Sequence, residues 1–172
     1  MKSTAMRIVE AAGSPTIAYL KLREYLQHVI LRVLFEQKDL LKWVFHGGTA
    51  LRIIHGLNRF SEDLDFHLKG KDDQYALSPV IARLAKNLAL QGYTISDSMV
   101  KEKTVRSTFI RFERLLFECG LSPHEDEKLS IKLEVDANPP PGWKVERRII
   151  NTFFPFSLIH HDAPSFLSGK FH

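Results

Sequence analysis

Two aspartates, Asp63 and Asp65, open the segment Asp63-Leu64-Asp65-Phe66-His67-Leu68, which alternates polar and apolar residues with period 2. On a strand this spacing sends both carboxylates to one face, about 6.5 to 7 Å apart, where they can converge on a divalent cation. Such a pair is as readily a solvated face, but Leu64 and Phe66 predict a buried opposite side that fixes its direction. The stretch Lys128 to Asp136 repeats the pattern. Ile131, Leu133 and Val135 point inward, while Lys132, Glu134 and Asp136 point the other way, so Glu134 supplies a third carboxylate with Asp136 as the alternate. Taken by themselves, Lys132 and Glu134 read equally well as a surface ion pair. Two divalent ions held by three acids stabilise both the attacking hydroxyl and the leaving pyrophosphate in a displacement at the α-phosphate of a nucleoside triphosphate. Attack at the γ-phosphate uses the same metal geometry.

Phosphate chemistry also needs a place where the backbone comes close to the ligand. Gly47-Gly48 follows the β-prone run Trp43-Val44-Phe45 and precedes Thr49 to Ile54, which reads as a helix closed by Gly56. Backbone N–H groups at such a helix start point outward, and a phosphate can approach where side chains are lacking. A glycine pair alone is more often an ordinary tight turn. Thr49 is either an N-cap or a hydroxyl that touches the ligand, and His46 reads as local packing or a nucleotide contact.

The elements that must hold these groups follow from periodicity. Ser14-Pro15 opens a long helix to about Gln37, with Leu22, Leu26, Val29 and Val33 at helical spacing. Ser78-Pro79 opens another through Leu90, closed by Gly92. Tyr93 to Met99, Ser107 to Phe117 and Leu129 to Ala137 read as strands, Val145 to Phe154 as a further one, and Asp162 to Ser165 as the turn into a helix. The predicted fold is α/β (α+β), a mixed, mostly antiparallel sheet flanked by helices, with a helical segment 1–40 packed on a catalytic domain 41–172.

With 172 residues and 44% hydrophobic content the chain can bury one real core. No apolar run is long enough to cross a membrane, and no secretory pattern opens the chain. Cys119 is the only cysteine, which excludes a disulfide framework, fits a reducing cytoplasm and reads as an inert core thiol. The excess of 24 basic over 20 acidic residues is mild and suits a phosphate-bearing partner.

It is the combination of motifs that resembles a known family. Gly47-Gly48-Thr49-Ala50-Leu51 followed by Arg59-Phe60-Ser61-Glu62-Asp63-Leu64-Asp65-Phe66 is similar to the first motif of the AbiEii/AbiGii toxin nucleotidyltransferases, a branch of the polymerase β-like superfamily. Ile131-Lys132-Leu133-Glu134-Val135 resembles the second motif, and Ser168-Gly169-Lys170-Phe171-His172 the opening of the third. The resemblance implies that Gly47, Gly48, Thr49, Arg59, Ser61, Lys132 and Lys170 serve the nucleotide. It implies that Asp63, Asp65 and Glu134 bind Mg²⁺ or Mn²⁺ and are catalytic. Taken alone, Arg59 reads equally as an ion-pair partner of Glu62 or Asp63. The resemblance further implies a bacterial toxin of a toxin–antitoxin or phage-defence pair, with an NTP donor, a cognate antitoxin and, in some members, tRNA as acceptor. The family continues into a helical C-terminal half, so this chain is expected to be C-terminally truncated. A catalytically incomplete nucleotide- or RNA-binding module of the same fold, acting through a partner protein, is the alternative.

Other chemistries lack their motifs. There is no P-loop, no G-x-G-x-x-G and no H-E-x-x-H. His160-His161-Asp162 has ligand-type residues, but adjacent histidines on a loop are expected to be solvated.

Overall fold

Ser14 caps the first long helix by accepting the Ile17 N–H at 3.3 Å, and Pro15 fills the first helical position, where its missing N–H costs nothing. In the computed structural model, which describes residues 2–96 and 98–168, this helix, α2 (Pro15–Glu36), follows α1 (Lys2–Glu10). Leu22, Tyr25, Leu26, Val29, Ile30, Leu31 and Leu34 of α2 are fully buried, so the helix lies within the core cluster that the strands share. A 3₁₀ turn (Asp39–Leu41) leads to β1 (Trp43–His46), α3 (Gly47–His55), β2 (Leu64–Leu68) and α4 (Ser78–Leu90). The chain then forms β3 (Thr94–Ile95), β4 (Lys101–Glu102), β5 (Val105–Glu113), α5 (Leu115–Glu118) and β6 (Leu129–Asp136). It finishes with β7 (Val145–Ile150), β8 (Phe156–His161) and α6 (Ala163–Ser168). No helix among the described residues is long and apolar enough to cross a membrane.

The strands form one sheet in the order β3-β5-β6-β2-β1-β8-β7, with β4 on β5. β2–β6 and β1–β8 pair parallel, and the other pairs are antiparallel. The mixed, mostly antiparallel sheet expected from the sequence is therefore present. Trp43, Phe45, Leu64, Phe66, Leu133 and Val135 point to the core face, with α2 and α4 in the same hydrophobic cluster. The alternate residues His46, Asp65, His67, Glu134 and Asp136 point the other way, as the pleat requires.

Several strand expectations are corrected. Among the described residues of Tyr93 to Met99, only Thr94–Ile95 forms a strand. Ser107 to Phe117 is not one strand, because Arg114 turns into the left-handed region (φ 59°) and Leu115–Glu118 is helical. The apolar pair Leu115 and Leu116 can fill a core from a helical turn as well as from a strand, so alternation could not tell the two apart. Val145 to Phe154 breaks at Ile150, and a separate strand, β8, follows. His160 and His161 lie on that strand, 2% and 3% exposed, and not on a solvated loop. Insertion of β8 between β1 and β7 is what buries them.

Candidate active site

The acid-bearing strands are fixed from behind. Gln27 of α2 donates its side-chain N–H to the Ser61 carbonyl at 2.9 Å, and Arg23 pairs with Glu62 at 2.9 Å. Arg52 of α3 forms an ion pair with Glu24 of α2, donates to the Leu57 carbonyl at 3.0 Å and lies 3.9 Å from the Phe60 ring centroid. These contacts pin the polar link 57–62 to two helices, so the chain enters β2 in one position. The buried Thr49 hydroxyl then donates to the Asp63 carbonyl. Thr49 thus holds Asp63; the helix N-cap is His46, and the Thr49 side chain does not face the cavity.

Register brings the acids together. Asp65 on β2 lies beside Glu134 on the parallel strand β6 and opposite His46 on β1, while His67 lies beside Asp136 one row along. Gly47, Gly48, Asp65, Glu134 and Asp136 line one cavity of about 450 Å³, with His46, His67, His161 and Trp143 as a further wall. Gly47 adopts φ +78°, and a Cβ there would collide with the Asp65 carboxylate, 3.2 Å from its Cβ. A Cβ on Gly48 would sit 2.8 Å from the Ser61 hydroxyl. Gly47 is therefore required both by backbone conformation and by close approach to Asp65, and Gly48 by its approach to Ser61, and α3 starts at this pair, which lines the cavity.

A sequence model of the nucleotidyl transferase AbiEii toxin, of a type IV toxin–antitoxin system, matches residues 29–172. The chain belongs to this AbiEii family. Among solved structures it is similar to JHP933 from Helicobacter pylori, at 22% identity and a TM-score of 0.57 over 86% of this chain and 55% of that one. It is also similar to a candidate nucleotidyltransferase from H. pylori, at 22% identity and a TM-score of 0.54 over 83% of this chain and 55% of that one. At that identity the likeness establishes a shared fold, and the chain spans about half the length of these structures. No curated protein matches it.

In this AbiEii chain the acids are under electrostatic load. Burial, then the charges of Asp63 and Glu134, push Asp65 up to about 6, against the pull of Lys132. Burial also raises Asp63. Lys132 Nζ lies 2.6 Å from Glu134 and is drawn by both aspartates, so its ammonium is the local counter-ion. Hard carboxylate oxygens crowded to this degree are the donor type that a divalent cation relieves. No three His, Cys, Asp or Glu side chains among the described residues close around a single point. Asp63 and Asp65 are close enough to load each other electrostatically, while Glu134 is engaged by Lys132. Asp136 is one row away, and its Oδ1 accepts the Asn138 N–H at 2.8 Å.

Of the other expected residues, Ser61 lies beneath Gly48 and Arg59 is exposed on the link, while Glu62 pairs with Arg23. Lys170 lies outside the described residues. Sequence reasoning did not find the ring cluster. His161 stacks on Trp143 (4.3 Å, 13°) and on His46 (5.6 Å, 11°), and its Nε2 meets that of His67. Burial lowers His46 to about 4 and His161 to about 3, so both are neutral at pH 7. His67 could have been found, because period 2 puts it on the Asp65 face; His161 reads in sequence as a ligand-type residue but is expected on a solvated loop, and Trp143 carries no local signal.

Proposed function

We propose that this chain transfers a nucleoside monophosphate from an NTP to a hydroxyl of RNA, such as tRNA, or of protein. In this reading it acts in the cytoplasm as the toxin of a toxin–antitoxin or phage-defence pair, with an antitoxin as partner and residues 41–172 as the catalytic unit. One observation carries it: Asp65 and Glu134 lie side by side on parallel strands at a cavity that opens on the glycine start of α3, with the charge of Asp63 felt by Asp65.

Asp63, Asp65 and Glu134 would hold Mg²⁺ or Mn²⁺, which when bound supplies positive charge to the attacking and leaving oxygens. The N–H groups of the first turn of α3, at Gly47, Gly48 and Thr49, donate to triphosphate oxygens. Ser61 and Arg59 reach phosphate from the link, and Lys170 is assigned to phosphate by resemblance. Lys132 keeps the acids ionised and turns to the phosphates as they arrive.

A second reading, a binding module working through a partner, is favoured by the Lys132–Glu134 pair, which occupies the third acid. Incubation with NTPs labelled at the α-phosphate, Mg²⁺ and total bacterial RNA separates the two. Label entering RNA or protein with the wild type and not with Asp63→Asn/Asp65→Asn supports transfer. Transfer from γ-labelled donor alone redirects the chemistry to the γ-phosphate. Mg²⁺-dependent NTP binding without transfer supports the module, and absence of binding refutes both.

A further inference from the structure

A second cleft, of about 660 Å³, adjoins the acid cavity and shares His67, Pro139, Pro140 and Trp143 with it. One wall is the loop after β2, residues 69–71, and the other the run Asn138 to Gly142. Both walls are tied down. The Lys69 N–H donates to the Lys42 carbonyl at 3.0 Å, the Asp72 N–H to the Ala137 carbonyl at 2.9 Å, and Asp136 fixes Asn138. The cleft is therefore preformed.

Its charge is opposite to that of its neighbour. The acid cavity is lined by Asp65, Glu134 and Asp136, whereas Lys69 and Lys71 are the only charged residues among those lining the second cleft. Lys71 pairs with Asp73 at 3.4 Å, but both side chains are more than half exposed, too solvated to neutralise the lysine. Between the clefts stands Trp143, its indole held flat on His161. A basic wall beside a rigid aromatic face is what a single-stranded nucleic acid requires: phosphates take the lysines, and an unpaired base stacks on the ring. A donor triphosphate belongs in the first cavity, because it needs the acids and the α3 start, and the second cleft has neither.

We infer that the second cleft seats the single-stranded end of a polynucleotide acceptor. A base stacks on Trp143, backbone phosphates lie against Lys69 and Lys71, and the terminal hydroxyl passes His67 to reach Asp65 two residues back along β2. This rests on the transfer reading above.

The test measures anisotropy of a fluorescein-labelled single-stranded RNA of about eight nucleotides across a salt series, with wild type and Lys69→Gln/Lys71→Gln. Mg²⁺-dependent ATP and GTP binding and Tm are measured in parallel. Each phosphate contact on a single strand contributes a slope of about 0.7 in log K against log salt, so two lost contacts lower the slope by about 1.4 and the affinity roughly 25-fold at 0.1 M salt. The expected result is that loss with NTP binding and Tm unchanged. Equal strand affinity in both proteins, no strand binding by the wild type, or preference for a duplex of the same sequence overturns the assignment. Failure of the wild type to bind NTP counts instead against the transfer reading, whatever the strand affinities.

Discussion

Asp65→Asn should stabilise the metal-free protein at neutral pH. Asp65 ionises at about 6 in the fold against 3.8 for an ordinary aspartate. A folded-state value above the unfolded one means that the native state binds its proton more tightly. Stability is therefore fully present below about pH 4 and is lost as pH rises through 6. The shift corresponds to about 3 kcal/mol at 1.36 kcal/mol per unit. Water reaches this half-buried side chain and screens part of that, leaving about 2 kcal/mol. Asparagine removes the charge, so its Tm should exceed that of wild type by about 4–8 °C at pH 7.5 in EDTA for a domain of this size. At pH 4 the difference should vanish. Added Mg²⁺ should raise the Tm of wild type and leave Asp65→Asn unmoved, because only the carboxylate gains a partner in the folded state. Equal melting at pH 7.5, or a gap of the same size at pH 4, would refute the claim that Asp65 carries an uncompensated buried charge.

Gly47→Ala places a methyl at φ +78° against the Asp65 carboxylate. The left-handed backbone alone costs about 1–2 kcal/mol, and displacement of the acid should abolish Mg²⁺-dependent NTP binding; calorimetry showing wild-type affinity would contradict the close approach. Lys132→Met removes the cation that lowers Asp65. The Asp65→Asn stability gap, which opens above about pH 4, should then keep growing to a pH above 6 and reach a larger plateau, and an unchanged plateau in paired melting curves would show that Lys132 is not the counter-ion.

Local pattern made part of this site legible. Alternation in 64–68 and 129–136 identifies which side chains share a face, because the pleat has period 2 whatever the strand pairs with, whereas Asp63, expected on the same strand, precedes β2. The cap at Ser14 and the glycine turn before α3 are likewise set by neighbouring residues. What alternation cannot supply is which strand lies beside which. Placing Glu134 next to Asp65 depends on parallel pairing across a long connection, and the burial of His160 and His161 depends on β8 entering beside β1. Arg114 hid a strand end because its left-handed turn falls inside a segment with apolar residues on both sides. Thr49 was ambiguous because a hydroxyl at a helix start can cap, bind or brace, and only the tertiary position of Asp63 selects bracing.

The parallel seam between β1 and β8 also sets an order of events. β1 emerges early and must wait for a strand from the other end of the described chain, and contacts so far apart in sequence are slow to close. β1, β2 and β6 can present the carboxylates before β8 arrives with His161, the ring against which Trp143 lies flat. The acids are made first and their enclosure last, so this pocket is a late acquisition of the folding chain, and a molecule paused before β8 docks carries the charges of the site without its walls.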